Sequence, residues 1–402
     1  MAKVLISSVG TGNIVKDSDS EYKKTIYTIG GEKYPETLTS KVLIEHLNID
    51  KVIFIGTNKS MWDNLYYSFD GEDENYLDNL SLKKSSDDGI SIEDLDNFNE
   101  TVDKYLNSNG SKSIILNYSK HTSDEIWDNF EMLLTIKELL HNGDEVYLDI
   151  THGFRYMPIL NIFLLEFISI FDSPSINVEG VFYGLFSGDT SEIVDFKIFF
   201  DLLEWSKAIN MFKHNSNAEQ LIELLSKDKE NSDITKVFTQ FSNNLKLANM
   251  SSLRQFIKDA NKKIKKLKDS NNRIIKLLST ELIDITARFD TQKQSKFQYE
   301  LAKWLYENKN YALAYLALYE AIITKSCELK GYDVDEHSLR EEAKKSLGND
   351  KYGKYFYTKY DDSISQIRNS IVHQSNDRKD KVLLDIKKLE SFFMTFEQYM
   401  NL

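Results

Sequence analysis

The chain has few cysteines, which can cross-link a fold, and few prolines, which stiffen a backbone. One cysteine and 3 prolines stand among its 402 residues. A single thiol, Cys327, excludes an intrachain disulfide and a multi-cysteine zinc site, so we expect a reducing, cytoplasmic location and a buried structural thiol. The longest apolar segment, 157–171, contains Glu166 and is shorter than the roughly 18–20 residues that a membrane span needs. The first residues resemble a strand and not a signal peptide, so we expect no membrane attachment.

Net positive charge is also lacking. The formal net charge is −13 at pH 7. Proteins that bind nucleic acid over a large surface are usually basic, so this balance argues against extensive duplex binding. An acidic net charge is still compatible with a protein that contacts a few nucleotides through a local positive cleft.

The first half of the chain alternates short apolar runs with helical patterns. This alternation predicts a mostly parallel sheet covered on both faces by helices. At 402 residues the chain is too long for one ordinary core, so two or three domains are expected. The predicted strands are 4–9, 51–55, 113–118, 146–150 and 178–184.

Three of these predicted strands end in small polar residues. In an open α/β sheet, ligands bind at the carboxyl ends of the strands. Glycine permits close backbone approach, threonine offers a hydroxyl, and helix N-termini offer N–H groups to phosphates. Each loop alone is also compatible with an ordinary turn, and neither nucleotide-binding glycine fingerprint is present. The three loops are Gly10-Thr11-Gly12-Asn13, Gly56-Thr57-Asn58 and Thr151-His152-Gly153.

The segment VYLDITHGFR, 146–155, carries the strongest site signal of this half. We expect Asp149, inside the strand, to bind a neighbouring backbone group or Arg155. Thr151 and His152 follow at the strand end, and Arg155 begins the next helix. Together they form a cradle for a phosphate or a ribose. A helix cap followed by a surface arginine is the alternative interpretation.

The second half, from about residue 195, reads as helical. The segment 254–278 has a lysine-rich face, which is either a solvated surface or a basic rim that steers RNA. The last part of the chain reads as a helical bundle. The predicted helices are 199–212, 218–225, 234–247, 254–278, 298–307, 312–330, 360–373 and 379–399, with a polar connection at 331–351.

The sequence RNSIVH, 368–373, lies late in one of these helices. Histidine can move the proton of a ribose 2′-hydroxyl or of a leaving group, and arginine can hold the charge of a phosphate. Residues five apart differ by roughly 140° around a helix, so one copy of Arg368 and His373 makes an incomplete site. Two copies across a two-fold axis would complete it, with Asn369 as a polar helper. A helix cap and a surface ion pair remain the alternative.

Taken together, these motifs resemble the CARF–HEPN ribonucleases of type III CRISPR systems. The resemblance covers most of the chain and rests on KVLISSVGTGN, VIFIGTNKSMW, LDITHGFR and RNSIVH. It implies an α/β Rossmann-like CARF domain at 1–195 that senses cyclic oligoadenylate. An all-α HEPN domain at 293–402, which cleaves single-stranded RNA, would follow a helical linker or insertion at 196–292, a region that matches no motif.

The resemblance also assigns residues. It implies no metal and no cofactor, cyclic tetra-adenylate as the expected activator, and a homodimer or higher even oligomer. Met61 and Trp62 would lie beside the adenines. The implied catalytic residues are Arg368, Asn369 and His373; the implied ligand-binding residues are Gly10, Thr11, Gly12, Asn13, Thr57, Asn58, Met61, Trp62, Thr151, His152, Gly153 and Arg155.

The leading hypothesis is an antiviral, cyclic-oligoadenylate-activated, metal-independent endoribonuclease that leaves 2′,3′-cyclic phosphates. A second activity, slow cleavage of the activator in the CARF pocket, would use Thr151, His152 and Arg155. The alternative from another class is a non-cutting nucleotide-sensing regulator whose helical domain binds protein or nucleic acid. In that case RNSIVH is structural and the segment 254–278 is the effector surface.

Overall fold

A computed structural model describes residues 1–12, 22, 24–118, 122–153, 156–187, 190–349, 351–357, 362–373 and 382–401. The chain divides into two compact units, Met1–Phe200 and Asp201–Leu402. Within the described ranges, every helix is too short or too polar to cross a lipid bilayer. Over the same ranges, His, Cys, Asp and Glu side chains form no cluster suited to a metal ion.

The first unit contains an eight-stranded mixed sheet. Its strand order is β3-β2-β8-β7-β6-β1-β4-β5. The five strands from β7 to β5 are parallel to one another, and β2 is parallel to β8. The β2–β3 and β7–β8 pairs are antiparallel. The strands are β1 Lys3–Ser8, β2 Thr25–Ile29, β3 Glu32–Glu36, β4 Lys51–Thr57, β5 Lys112–Leu116, β6 Glu145–Asp149, β7 Asn177–Ser187 and β8 Thr190–Asp195.

The five strands predicted from apolar runs are confirmed as β1, β4, β5, β6 and β7. Strands β2, β3 and β8 were not predicted. Strand β3 reads EKYPE and has no buried residue, and β8 reads TSEIVD with two buried residues. They extend one side of the sheet, where few apolar residues are needed, so no apolar run reveals them.

Helices cover both faces of the central strands. Leu5 of β1 packs in a cluster with Phe54 and Trp62 on one face, whereas Val4 and Ile6 pack in a second cluster on the other. Because side chains alternate along a strand, a continuous apolar run buries both faces. The helices that begin in this unit are α1 Thr39–Leu47, α2 Trp62–Ser68, α3 Glu74–Ser85, α4 Asp96–Leu106, α5 Ser123–Leu134, α6 Ile136–Leu139, α7 Met157–Ile168 and α8 Lys197–Asn215.

The second unit is helical over its described residues. The predicted segment 254–278 is two helices, because Asn272 accepts hydrogen bonds from the N–H groups of Ile274 and Ile275 and so starts a new helix. The predicted polar connection contains α15, in which only Ala343 is buried. The helices are α9 Glu219–Ser226, α10 Ser232–Lys246, α11 Met250–Lys266, α12 Arg273–Ala287, α13 Gln294–Glu307, α14 Tyr311–Lys330, α15 His337–Ser346, α16 Gly353–Phe356, α17 Ile364–His373 and α18 Val382–Met400.

Helix α14 lies at the centre of this unit. It is buried along most of its length, as its near-continuous apolar pattern predicts. Cys327, on this helix, is fully buried, and the burial raises the pKa of its thiol. The predicted buried cysteine is therefore confirmed.

Candidate functional site

The polar loops of the first unit meet at one edge of the sheet. Strands β6, β1 and β4 are adjacent and parallel, so their carboxyl ends lie together. The chain leaves β1 toward β4 on one side and later returns to β6 on the other. This reversal is a topological switch point, where the loops diverge and leave a crevice.

The loop after β1 touches both neighbouring loops. The carbonyl of Gly10 accepts a hydrogen bond of 2.9 Å from the N–H of Met61, in the loop after β4. A Cβ atom at Gly10 would lie 3.3 Å from the nitrogen of Gly153, in the loop after β6. The hydroxyl of Ser60 donates to the carbonyl of Val9 at 2.8 Å. Small residues are therefore required for this close approach.

Glycine is required at position 12 both by the backbone conformation and by the lack of room for a Cβ atom. Its φ is +75°, and a Cβ there would lie 2.5 Å from a ring carbon of Tyr22 and 2.6 Å from the sulfur of Met61. Gly153 has a φ of +97°, and its Cβ would lie 3.1 Å from Ser8. Thr11 and Gly12 are both exposed at this edge. The loop thus presents its backbone to solvent.

Buried side chains and hydrogen bonds hold the shape of the loop after β4. The indole N–H of Trp62 donates to the carbonyl of Thr57 at 2.8 Å, and Trp62 is fully buried. Thr57 and Met61 are 2% and 3% exposed. In this structure Trp62 therefore has no surface to offer a ligand. Asn58 donates to the carbonyl of Asp88 at 2.9 Å and so contacts the loop after α3.

Asp149 holds the loop after β6. Its fully buried carboxylate accepts a 2.8 Å bond from the hydroxyl of Ser7 and a 2.9 Å bond from the N–H of Thr151. This confirms that it binds a neighbouring backbone group. The hydroxyl of Thr151 in turn accepts from the N–H of Gly184 at 2.9 Å. Three hydrogen bonds therefore hold the strand end.

His152 lies in a polar network that the sequence did not reveal. Its Nε2 atom is 3.2 Å from the hydroxyl oxygen of Thr39, and its ring lies 6.3 Å from that of Phe186. Burial lowers the pKa of His152 below its usual 6.5, and Asp149 partly offsets this effect. Tyr27, hydrogen-bonded to Thr39, has its pKa raised by burial to about 12. At neutral pH the imidazole is uncharged and acts through hydrogen bonds.

Thr39 and Tyr27 gave no site signal in the sequence. Thr39 is fully buried at the first position of α1, and Tyr27 lies on an unpredicted strand. Two of the predicted ligand-binding residues, Asn13 and Arg155, lie outside the described residues. The described part of the edge thus combines a glycine backbone, a neutral histidine and four threonines: Thr11, Thr39, Thr57 and Thr151.

The second candidate group lies on α17 of the helical unit. Arg368 is half-buried, and its guanidinium carbon is 5.1 Å from the centre of the Tyr319 ring. Its Nη1 donates to the side-chain oxygen of Asn369 at 3.1 Å. Its Nε is buried and has no hydrogen-bond partner among the described residues. His373 is the last residue of α17 and is exposed.

Arg368 lines a cavity of about 670 Å³. Helices α13, α14, α15 and α17 and the segments 248–250 and 334–335 form its walls. Val372, four residues after Arg368 and on the same helix face, also lines the cavity, whereas His373 is not among its described lining residues. One copy of the chain therefore does not bring Arg368 and His373 into one cavity.

Two family models match the chain. Residues 4–186 match the CARF domain of the CRISPR system endoribonuclease Csx1. Residues 201–295 match the second domain of the CRISPR-associated protein MJ1674. The N-terminal unit is therefore a CARF domain, followed by a helical region. The middle segment, for which the sequence offered no motif, matches a domain of its own.

The chain also resembles individual proteins. It is 31% identical over 410 residues to the CRISPR-associated protein MJ1674 of Methanocaldococcus jannaschii, with 94% of this chain covered. It spans 63% of that protein's length. Among solved structures it is similar to Enterococcus italicus Csm6 bound to cyclic hexa-2′-fluoro-hexa-dAMP, with a TM-score of 0.42 and 11% identity. That similarity covers 100% of this chain and 94% of the other.

Proposed function

We propose that this protein, which begins with a CARF domain, is a cyclic-oligoadenylate-activated endoribonuclease of type III CRISPR defence. The observation that carries the proposal is the position of Arg368. It lies on a helix beside a large cavity, with Asn369 bound to its guanidinium and His373 five residues beyond on the same helix. The match of residues 4–186 to the CARF domain of an endoribonuclease family supports the sensor half.

The switch-point edge is the proposed sensor. The exposed backbone at Thr11 and Gly12 would approach the ligand closely, and the neutral His152 would bind a ribose or base through hydrogen bonds. Arg155 and Asn13 would complete the phosphate contacts. A cyclic tetra-adenylate has internal symmetry, so two copies of the edge would face one ring across a two-fold axis.

The proposed cleavage needs no metal. His373 takes the proton from a ribose 2′-hydroxyl, and the 2′-oxygen then attacks the adjacent phosphorus. The bond from phosphorus to the 5′-oxygen breaks, which leaves a 2′,3′-cyclic phosphate and a 5′-hydroxyl, the latter protonated by a second histidine. Arg368 holds the charge on the non-bridging oxygens, and Asn369 positions the guanidinium.

Two copies would build this site. Arg368 faces the cavity and His373 faces about 140° away on the same helix. A phosphodiester bound against Arg368 of one copy would therefore meet His373 of the other. Ligand binding at the sensor would act by favouring the arrangement in which the two helices face each other correctly.

The first test measures cleavage of a fluorescent single-stranded RNA in EDTA. It compares no ligand, cyclic tetra-adenylate and cyclic hexa-adenylate. We expect one ring to activate cleavage, His373→Ala to abolish it, and the control His337→Ala, an exposed histidine in the same unit, to retain it. Cleavage that survives in pure His373→Ala protein contradicts the catalytic assignment.

The second test asks whether the site is shared between copies. Arg368→Ala and His373→Ala chains should each be inactive alone. When mixed, a heterodimer keeps one Arg368 and one His373 on opposite copies. Because this heterodimer lacks the second histidine that protonates the leaving oxygen, we expect weak activity, above that of either variant alone. A mixture of proven heterodimers that is no more active than the separate variants contradicts a pair shared across copies that works with one histidine.

Two further outcomes bear on the hypotheses from the sequence. If the protein binds either ring and cuts no RNA, the non-cutting regulator replaces the nuclease. Activator cleavage in the CARF pocket is followed by chromatography of the ligand with Arg368→Ala protein. Slow loss of the intact ring would support this second activity, whereas its full recovery after long incubation indicates binding without cleavage.

A further inference from the structure

Helix α11 carries a row of cationic side chains that takes no part in the proposed cleavage step. Between residues 250 and 296 the sequence has 12 lysines and arginines against 5 aspartates and glutamates, in a chain whose net charge is −13. Side chains three or four residues apart lie on one face of a helix, roughly 5–6 Å apart along its axis. The row has this spacing and consists of Arg254, Lys258, Lys262 and Lys265. Lys262 and Lys265 are exposed, so the row is open to solvent.

The carboxylates around this row do not neutralise it. Among the described residues, no ion pair joins the three lysines of the row to an acidic side chain. Asp259, on the same helix, accepts a hydrogen bond from Gln255 at 3.2 Å, and Glu281 of α12 pairs with Lys213. The other acidic side chains of α10, α12 and the ends of α11 and α12 are exposed: Asp233, Asp269, Asp284 and Asp290. Positive charge therefore remains in excess along α11.

The row continues at the start of α13. The guanidinium of Arg254 donates to the carbonyl of Thr291 at 3.0 Å and to the carbonyl of Gln292. The next residue, Lys293, is exposed. These hydrogen bonds hold Arg254 beside Lys293, so the cationic surface extends from α11 to α13.

Lys325, on α14, adds positive charge beneath this surface. Its side chain is 2% exposed and forms no hydrogen bond or ion pair among the described residues. Burial lowers the pKa of its ammonium group, as do nearby Lys293 and Lys296, whereas Glu328 acts in the opposite direction. Glu328 itself accepts hydrogen bonds from the N–H and the hydroxyl of Ser295. Lys325 is too deeply buried to touch a macromolecule, but it strengthens the local attraction for an anion.

One end of the cationic row lies beside the cavity that Arg368 lines. Met250, four residues before Arg254, and Gln294, next to Lys293, both line this cavity. A chain bound along the row would therefore arrive at the proposed cleavage site.

The cavity itself has no excess of positive charge. In its wall Glu320 pairs with Arg340, and the carboxylate of Asp335 has no side-chain partner among the described residues. Asp335 and Arg368 offset each other in net charge. The attraction for a polyanion must therefore come from outside the cavity, where the cationic row lies.

We propose that the row Arg254, Lys258, Lys262 and Lys265, together with Lys293, binds the phosphate backbone of single-stranded RNA and guides the strand to the cavity. The inference rests on the proposed ribonuclease function and names how that enzyme holds its substrate. Cations spaced along a helix meet successive phosphates without reading the bases. The row is one side chain wide in an acidic chain, which fits one strand better than a duplex. It also gives a role to the domain matched at 201–295, which contains α11.

The experiment measures binding of a fluorescein-labelled oligouridylate by anisotropy between about 50 and 200 mM NaCl. It uses the full-length chain with His373→Ala, so that no RNA is cut. The α11 variant adds Lys258→Gln, Lys262→Gln and Lys265→Gln. Each phosphate contact contributes about −0.7 to the slope of log K against log salt concentration, so this slope should become shallower by about 2. Over this salt range the affinity of the parent should fall about 20-fold more than that of the variant.

A matched control removes three exposed lysines on other elements of the same unit: Lys227→Gln, Lys229→Gln and Lys309→Gln. It changes the net charge equally and should keep the slope of the parent. The thermal unfolding midpoints of both variants should stay close to that of the parent, because solvent-facing substitutions change stability little. With His373 intact, the α11 variant should raise the KM for RNA cleavage and leave kcat nearly unchanged, because these contacts hold substrate and transition state alike.

Three results would overturn the proposal. These are no RNA binding by the parent at the lowest salt, an unchanged slope in the α11 variant, and an equal change of slope in the control. The last result would reduce the row to its share of the net charge. Because binding is measured without cleavage, RNA held by this row in a protein that cuts none would refute the nuclease and leave the interface standing. Cleavage by the α11 variant with the KM of the parent would do the reverse.

Discussion

Protonation of His152 should destabilise the switch-point edge of the sheet at mildly acidic pH. The imidazole lies 3.2 Å from the hydroxyl of Thr39, and burial lowers its pKa below 6.5. Asp149 acts in the opposite direction but does not cancel the burial effect. Tyr27, also in this network, stays uncharged because its pKa is raised to about 12.

The sign follows from the protons that each state binds. Between pH 6.5 and the lowered pKa, the unfolded chain carries a proton on His152 that the native protein does not. The free energy of unfolding therefore falls as pH falls through this window and is fully restored above 6.5. At pH 5.5 the loss is at most about 1.4 kcal/mol, and it is smaller if solvent relieves the partly exposed ring.

The assay is thermal unfolding followed by circular dichroism at pH 7.5 and 5.5. For a unit of this size, about 1.4 kcal/mol corresponds to roughly 3–5 °C. On acidification, the unfolding midpoint of His152→Gln should fall by roughly 3–5 °C less than that of the parent chain. The midpoint of His337→Gln, an exposed control, should fall as much as that of the parent. Equal losses in His152→Gln and the parent would refute the burial argument.

Three shorter predictions test other parts of the molecule. Gly12→Ala should lower the thermal unfolding midpoint and abolish binding of cyclic oligoadenylate, because its Cβ would lie 2.5 Å from a ring carbon of Tyr22. The control Gly31→Ala has a φ of +88° and nothing within 4 Å of its Cβ, so it should cost only the backbone strain of about 1–2 kcal/mol. In denaturant titrations, Asp149→Asn should lower the free energy of unfolding by about 2 kcal/mol, because it perturbs two hydrogen bonds. Ser7→Ala removes one of them and should lower it by about 1 kcal/mol. Equal losses would contradict the central role of the carboxylate. Cys327, fully buried with its pKa raised by burial, should resist iodoacetamide in native buffer by mass spectrometry; rapid modification would show that α14 opens.

The sequence predicted that the polar loops share one edge of the sheet. The loops after β1, β4 and β6 were expected to meet, and the contacts of Gly10 with Met61 and Gly153 show that they do. Which of these residues touch a ligand stays a prediction. Trp62 illustrates the limit: its type and position fit an adenine neighbour, yet its side chain is fully buried in the core.

Local patterns in the sequence determined which segments become strands or helices. An apolar run buries both faces of a strand, and apolar spacing of three or four residues defines a helix, whatever lies far along the chain. The same reasoning placed Arg368 and His373 on one helix but different faces. These conclusions need only residues that are near one another in sequence.

Only the tertiary structure decided which distant side chains meet. The Thr39–His152 contact joins residues 113 positions apart, and the three unpredicted strands depend on partners and not on their own composition. The cavity beside Arg368 is formed by the segment 248–250 together with four helices and the segment 334–335, which follow it later in the chain.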